Sequence, residues 1–187
     1  MKKSNIFIIY GPSGSGQDSI IEGLGGIIPI ERVITTTSRS MRPCESSGKP
    51  YYFITMKDFK KRIDAGEFIE YAEQYNGNLY GVTKEEVERV GNSGKTGIWK
   101  VDFQGATTIK KLFPETKSIF ITVSDLKILE NRIRRRDNEG EEYIQERMKY
   151  TKEWIDRTGA YDYKIFNEEG KLDEAIKKVA EIIKQHT

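Results

Sequence analysis

An α/β fold, with a parallel sheet flanked by helices, is what this sequence predicts, and three observations carry the prediction. Short apolar runs at residues 5–10, 97–101, 117–123 and 163–166 have the length and composition of buried strands. Helical segments at 18–24, 104–113, 125–136, 142–158 and 171–184 alternate with them, the pattern of a parallel sheet covered on both faces. The first run, NIFIIY, leads straight into the glycine-rich GPSGSGQDS and then a helix. That strand–loop–helix order suits phosphate, because glycines let backbone N–H groups converge at a helix N-terminus.

Taken in order, the helix at 18–24 meets Gly23, Gly25 and Gly26, which are expected to stop it. The middle third, 35–82, is rich in Tyr, Thr and Gly, with PYYFIT and EFIEYAEQY as short strands around a helix near 58–65. It reads as an insert hinged on a core made of 1–34 and 83–187. Thr83 with Glu86 spells a capping box that returns the chain to the core. Pro114 ends the helix at 104–113, and Ser124 is the expected N-cap of the next one.

At 187 residues the chain is one domain, or one core with an inserted subdomain. Its 31 Lys+Arg nearly balance 29 Asp+Glu, a net charge of +2 that argues against nucleic acid as a partner. The single cysteine, Cys44, excludes an internal disulfide, fits a reducing compartment and has no neighbouring His to make it a nucleophile. Trp99 and Trp154 read as packing residues. The basic-then-apolar start is too short for an export signal, and no stretch has membrane-spanning length, so a cytoplasmic chain without membrane contact is expected.

The loop carries the chemistry most openly. The phosphate-loop pattern G-x-x-x-x-G-K-[ST] fits at Gly11 and Gly16, but Gln17 stands where Lys belongs and Asp18 where Ser or Thr belongs. Gly11, Pro12, Ser13, Gly14, Ser15, Gly16, Gln17, Asp18 and Ser19 are the candidate nucleotide-phosphate cradle. In the middle third, Arg39 and Arg42 are spaced to grip one phosphate through guanidinium forks, with Tyr51 and Tyr80 adding hydroxyl donors. Glu70 can accept two hydrogen bonds from a guanine edge, which adenine cannot supply.

The stretches GPSGSG, TTTSRSMRP, GKPYYF, EFIEYAE, GNLYGVT, VDFQGA, RIRRRD and ERMKYTKEW follow one another in an order and spacing that together are highly specific. On them the chain resembles the guanylate kinases over essentially its full length. The resemblance implies a P-loop kinase core, a mixed α/β GMP-binding subdomain inserted at 35–82 and a small lid at about 132–147. It implies ATP and Mg²⁺ as cofactors, GMP as partner, and phosphoryl transfer from Mg·ATP to GMP in a monomer or homodimer. Carried over by position, Arg39, Arg42, Tyr51 and Tyr80 hold the GMP phosphate, Thr35 and Glu70 read guanine, and Gly81 belongs to the same substrate site. Asp102 lies near GMP and the metal, Arg132, Arg136 and Arg147 clamp the transferring phosphoryl, and Asn167 lies beside adenine.

Two further departures stand out: Val82 replaces a usual Ser or Thr after Tyr80–Gly81, and Lys100 replaces a usual Asp or Glu two residues before Asp102. Strand alternation would put Lys100 and Asp102 on one face, and by resemblance that face lies beside the glycine loop. A cation lost at position 17 and a cation gained at 100 are thus expected at the same phosphates, with Asp18 and Asp102 as the metal carboxylates. The alternative for Lys100 is an ion pair with Asp18 or Asp102. The alternative for the whole chain is a catalytically silent relative that binds GMP or a phosphorylated protein segment. A retained set of lid arginines favours the enzyme.

Overall fold

A computed structural model of the chain describes residues 5–43, 45–73, 77–137, 140–157 and 161–187. Cys44 lies outside the described residues, as does the side chain of Trp154. The elements run β1 (Ile6–Tyr10), α1 (Gln17–Leu24), β2 (Ile30–Arg32), β3 (Thr35–Thr37), β4 (Tyr51–Phe53) and α2 (Met56–Asp64). They continue with β5 (Phe68–Glu73), β6 (Leu79–Thr83), α3 (Lys84–Gly91), β7 (Thr96–Lys100) and α4 (Phe103–Leu112). The chain closes with β8 (Lys117–Thr122), α5 (Leu126–Asp137), α6 (Glu141–Arg157), β9 (Tyr163–Phe166) and α7 (Leu172–Lys184). A five-stranded sheet has the order β2-β7-β1-β8-β9, and a four-stranded sheet the order β4-β3-β6-β5.

Two compact units divide the described residues: Phe7–Ile30 with Lys100–Thr187, and Glu31–Trp99 with Asn5 and Ile6. The expected insert, 35–82, falls inside the latter. In the glycine-loop unit, β1 pairs parallel with β8 and β8 pairs parallel with β9. Ile8, Ile9, Ile119 and Ile121 are fully buried, so these strands are apolar on both faces, as a sheet covered twice requires. Helix α7 turns Ala175, Ile176, Val179, Ala180 and Ile183 inward, a spacing of three and four that keeps one face apolar. It packs against α1. Gly23 belongs to that contact and is not a stop: it lies inside α1, and a Cβ there would collide with the Ile176 side chain. Gly25 is the residue that caps α1. Helices α5 and α6 share their own core of Leu129, Ile133, Ile144 and Met148.

Two caps also differ from expectation. The Asp125 carboxylate accepts from Lys127 N–H at 2.9 Å, so Asp125, not Ser124, opens α5. Thr83 accepts from Glu86 N–H at 3.2 Å as a capping box demands, but the Glu86 carboxylate turns elsewhere. Among the described residues no helix is long and apolar enough to cross a membrane.

Candidate functional site

The glycine loop joins the end of β1 to α1. Gly14 and Gly16 have φ of 83° and 86°, left-handed values that glycine adopts freely and other residues resist. Gly16 is the N-cap of α1 and offers no side-chain acceptor to the first helical N–H groups. Those donors therefore point at whatever lies before the helix, with the positive end of the helix dipole behind them. Ser15 is 1% exposed, and its Oγ has no hydrogen-bond partner among the described residues. An uncapped helix start beside a buried, orphaned hydroxyl fits phosphate oxygens, which accept from both.

Three residues distant in sequence brace this loop. Asn167 is 3% exposed and its Nδ2 donates to the Ser15 carbonyl at 2.8 Å. Arg132 donates to the Gly14 carbonyl at 3.3 Å and to the Asn167 carbonyl at 3.0 Å, while its Nε faces Glu169 at 3.2 Å. Arg136 reaches the Ser13 hydroxyl at 3.1 Å. Arg132 and Arg136 are four apart on α5, which sets both on one face toward the loop. The arginines between them take carboxylates instead: Arg134 pairs with Glu130 and Glu141 at 2.7 and 2.5 Å, and Arg135 shares Glu169 with Arg132 at 3.0 Å. Arg147, on α6, donates to the Tyr143 hydroxyl at 3.0 Å and lies 5.4 Å from that ring's centroid. The described contacts do not tie it to the loop.

The substituted positions answer one another directly. Gln17 folds its amide back onto the Gly11 carbonyl, so position 17 supplies a neutral donor to the loop itself. Lys100 Nζ stands 2.5 Å from Asp18 Oδ2. Strand β7 ends at Lys100, and Val101 N–H donates to the Ile9 carbonyl at 3.3 Å, which holds this segment beside the end of β1. Asp102 lies past the strand and caps α4, its Oδ1 accepting from Gly105 N–H at 2.8 Å, so strand alternation does not govern it. Ser19 is exposed on the first turn of α1. Among the described residues no group of three His, Cys, Asp or Glu side chains is arranged to hold a metal. Mg²⁺ on phosphate needs fewer, since one or two carboxylates with phosphate oxygens and water suffice.

In the other unit, strand register does the assembling. Thr35 pairs with Tyr51, Thr37 with Tyr80, and Glu70 with Val82. Directly opposed residues share a face and alternate residues return to it, so Thr35, Tyr51, Tyr80, Val82 and Glu70 lie on one side of the four-stranded sheet. Gly81 falls on the other side, where a Cβ would meet the Glu70 carbonyl at 2.6 Å. Helix α2 packs on that other side, stacking Phe59 on Phe68 with ring centroids 4.3 Å apart, next to Leu79. Arg39 joins the polar face at its edge. Its guanidinium forks onto Glu45 at 2.8 and 3.0 Å and sits 5.6 and 5.4 Å from the ring centroids of Tyr51 and Phe53. Glu45 pushes the Arg39 pKa up, and Arg39, with help from the Arg42 N–H, holds the Glu45 carboxyl below its ordinary value. Arg42 itself is exposed and contributes that N–H at 2.8 Å.

Sequence reading missed the support beneath this face. Glu86 is 4% exposed and accepts from Ile34 N–H at 2.7 Å and from Arg89 at 2.8 Å. Arg89 also reaches Glu31 at 2.7 Å and the Arg32 carbonyl at 3.0 Å. Arg89, and after it Lys95, holds Glu31 below its ordinary pKa. The Glu86–Arg89 spacing of three was the available clue, but the two longer reaches have no local signature.

The guanylate kinase family profile matches residues 3–186 of the chain. The guanylate kinase of Hahella chejuensis is 35% identical over 185 residues, covering 98% of this chain and 88% of that one. Guanylate kinases of Idiomarina loihiensis and Thermotoga maritima are 37% and 36% identical, covering 88% and 97% of this chain and 80% and 87% of theirs. A crystal structure of guanylate kinase from Anaplasma phagocytophilum superposes with a TM-score of 0.74 at 28% identity, over 97% of this chain and 85% of that chain. A shikimate kinase from Acinetobacter baumannii superposes at 0.53 with 12% identity, covering 97% of this chain and 94% of that chain, a likeness of fold alone.

Proposed function

The chain belongs to the guanylate kinase family, and on that premise we propose that it transfers the γ-phosphoryl group of ATP to GMP, forming ADP and GDP. The observation that carries the substrate half is the shared sheet face of Thr35, Tyr51, Tyr80 and Glu70, with Arg39 at its edge. Glu70 accepts from the N–H edge of guanine, and Arg39, Arg42 and the tyrosine hydroxyls receive the phosphate. Adenine would leave the Glu70 carboxylate facing an acceptor, a mismatch that can cost about 10⁴-fold in discrimination. Val82 offers no hydroxyl to the base, which trims that figure. In this reading residues 35–82 are the GMP-binding subdomain.

The loop Gly11–Gly16 holds the ATP phosphates through its N–H groups and the Ser15 hydroxyl, and Asn167 and Arg132 keep it in shape. Arg132 and Arg136 belong to a lid of about 132–147 and supply positive charge where the transferring phosphoryl becomes more negative. Mg²⁺, when bound, neutralises phosphate oxygens, with Asp18 and Asp102 as its protein ligands. A coupled assay of ADP release with ATP, Mg²⁺ and each nucleoside monophosphate tests the reading. Turnover with GMP, well above AMP, is expected. GMP binding without turnover on any monophosphate would overturn it and leave a silent relative that holds GMP or a phosphorylated segment.

A further inference from the structure

We propose that Lys100 supplies the phosphate-binding cation that position 17 lacks, and that its ion pair with Asp18 is the resting partner it leaves when a nucleoside triphosphate enters the loop. The inference rests on the reading above that Gly11–Gly16 binds ATP.

The loop needs a cation because a triphosphate brings several negative charges to one place, and backbone N–H groups with neutral side chains cancel only part of them. Gln17 cannot supply one, and its amide is already turned onto Gly11. Arg132 and Arg136 come from α5 and touch Gly14 and Ser13. Lys100 comes instead from the end of β7 and meets Asp18. The Val101–Ile9 hydrogen bond anchors its backbone two residues before the loop begins, and its ammonium reaches the first turn of α1 at Asp18. That turn carries the uncapped helical donors, and it follows directly on the loop that holds the orphaned Ser15 hydroxyl. A lysine ammonium on a flexible four-carbon stem can change partner without moving its backbone.

The exchange is also cheap. Lys100 and Asp18 side chains are 36% and 65% exposed, and an ion pair open to water is worth little. A polyphosphate with several charges outbids one exposed carboxylate. The two residues are therefore coupled with respect to anion binding, which a merely structural surface pair would not be.

Calorimetry of ATP binding in EDTA, free of divalent metal, tests this on the full chain and on Lys100→Ala, Lys100→Arg, Asp18→Asn and the Asp18→Asn/Lys100→Ala double variant. A GMP titration of each reports folding and the other substrate site. Lys100→Ala is expected to weaken ATP by about tenfold or more while GMP affinity stays within about twofold, and Lys100→Arg to keep most of the parent affinity. Asp18→Asn is expected to tighten ATP by about threefold or more in the parent and far less in the Lys100→Ala background, because its benefit is the release of Lys100. An unchanged ATP affinity in Lys100→Ala, or an Asp18→Asn gain of equal size in both backgrounds, overturns the proposal and leaves Lys100 as a surface ion-pair partner. A parent chain that binds GMP but not ATP, with or without Mg²⁺, overturns the ATP-site reading itself and is distinguished by that control.

Discussion

The side-chain amide of Asn167 donates to the Ser15 carbonyl at 2.8 Å, tying the end of β9 to a loop 152 residues earlier. The contact is buried, and Gly16 is shaped around it: a Cβ on Gly16 would collide with Asn167 Nδ2. Asn167→Ala leaves a buried carbonyl unpaired and is expected to destabilise the fold by about 1–3 kcal/mol. Steady-state kinetics should show a raised KM for ATP with the KM for GMP nearly unchanged. An ATP KM equal to the parent's would show that the brace does not shape the loop.

Arg39→Lys tests the polar sheet face. Lysine keeps the charge but loses the fork and the flat surface that lies against Tyr51 and Phe53. GMP affinity is expected to fall by about tenfold or more, about 1.4 kcal/mol, with ATP affinity unmoved. Retention of GMP binding in a titration of this variant would remove Arg39 from the phosphate site.

Glu86→Ala probes the support under that face. Arg89 would keep Glu31 and the Arg32 carbonyl, so its charge is not stranded, but the Ile34 N–H loses its acceptor. A loss of about 1–3 kcal/mol in urea unfolding is expected. A variant as stable as the parent would mean that water replaces the carboxylate there.

Asp162 gives the pH dependence. Its carboxylate accepts from Ser118 N–H at 2.8 Å, Ser118 Oγ at 2.7 Å and Lys110 Nζ at 3.0 Å. Burial by itself would raise its pKa, but these donors outweigh burial and hold it below the ordinary 3.8. A depressed native pKa contributes stability that is fully present above the unfolded value and is lost as pH falls through the native one. Asp162→Ala is therefore expected to cost stability by about 1–3 kcal/mol at pH 7, and the gap to the parent should close as pH drops below about 4. Denaturant midpoints measured from pH 7 to pH 3 that keep a constant gap would refute the assignment.

Much of the architecture was legible because long apolar runs and helical periodicity are local properties. The strands 117–123 and 163–166 and the five long helices appear within a residue or two of their expected bounds. Strands β2 and β3 did not announce themselves. Three residues of IER or TTT carry no period to read, and they become strands only because a neighbour's backbone is there to pair with. Gly23 looked like a helix stop for the same reason: its neighbour Ile176 is far along the chain.

By itself the sequence determined the α/β order, the glycine loop, its missing lysine and the family, because composition, spacing and motif order are all written along one dimension. The tertiary structure alone decided which partners those residues take. It turned Gln17 onto Gly11, gave Lys100 Asp18 as its ion-pair partner from the two carboxylates the sequence offered, split RIRRRD between loop contacts and ion pairs, and drew Asn167 onto Ser15. Partner choice depends on distances of a few ångströms across the fold, and a charge or amide in a sequence carries no record of what will lie that close to it.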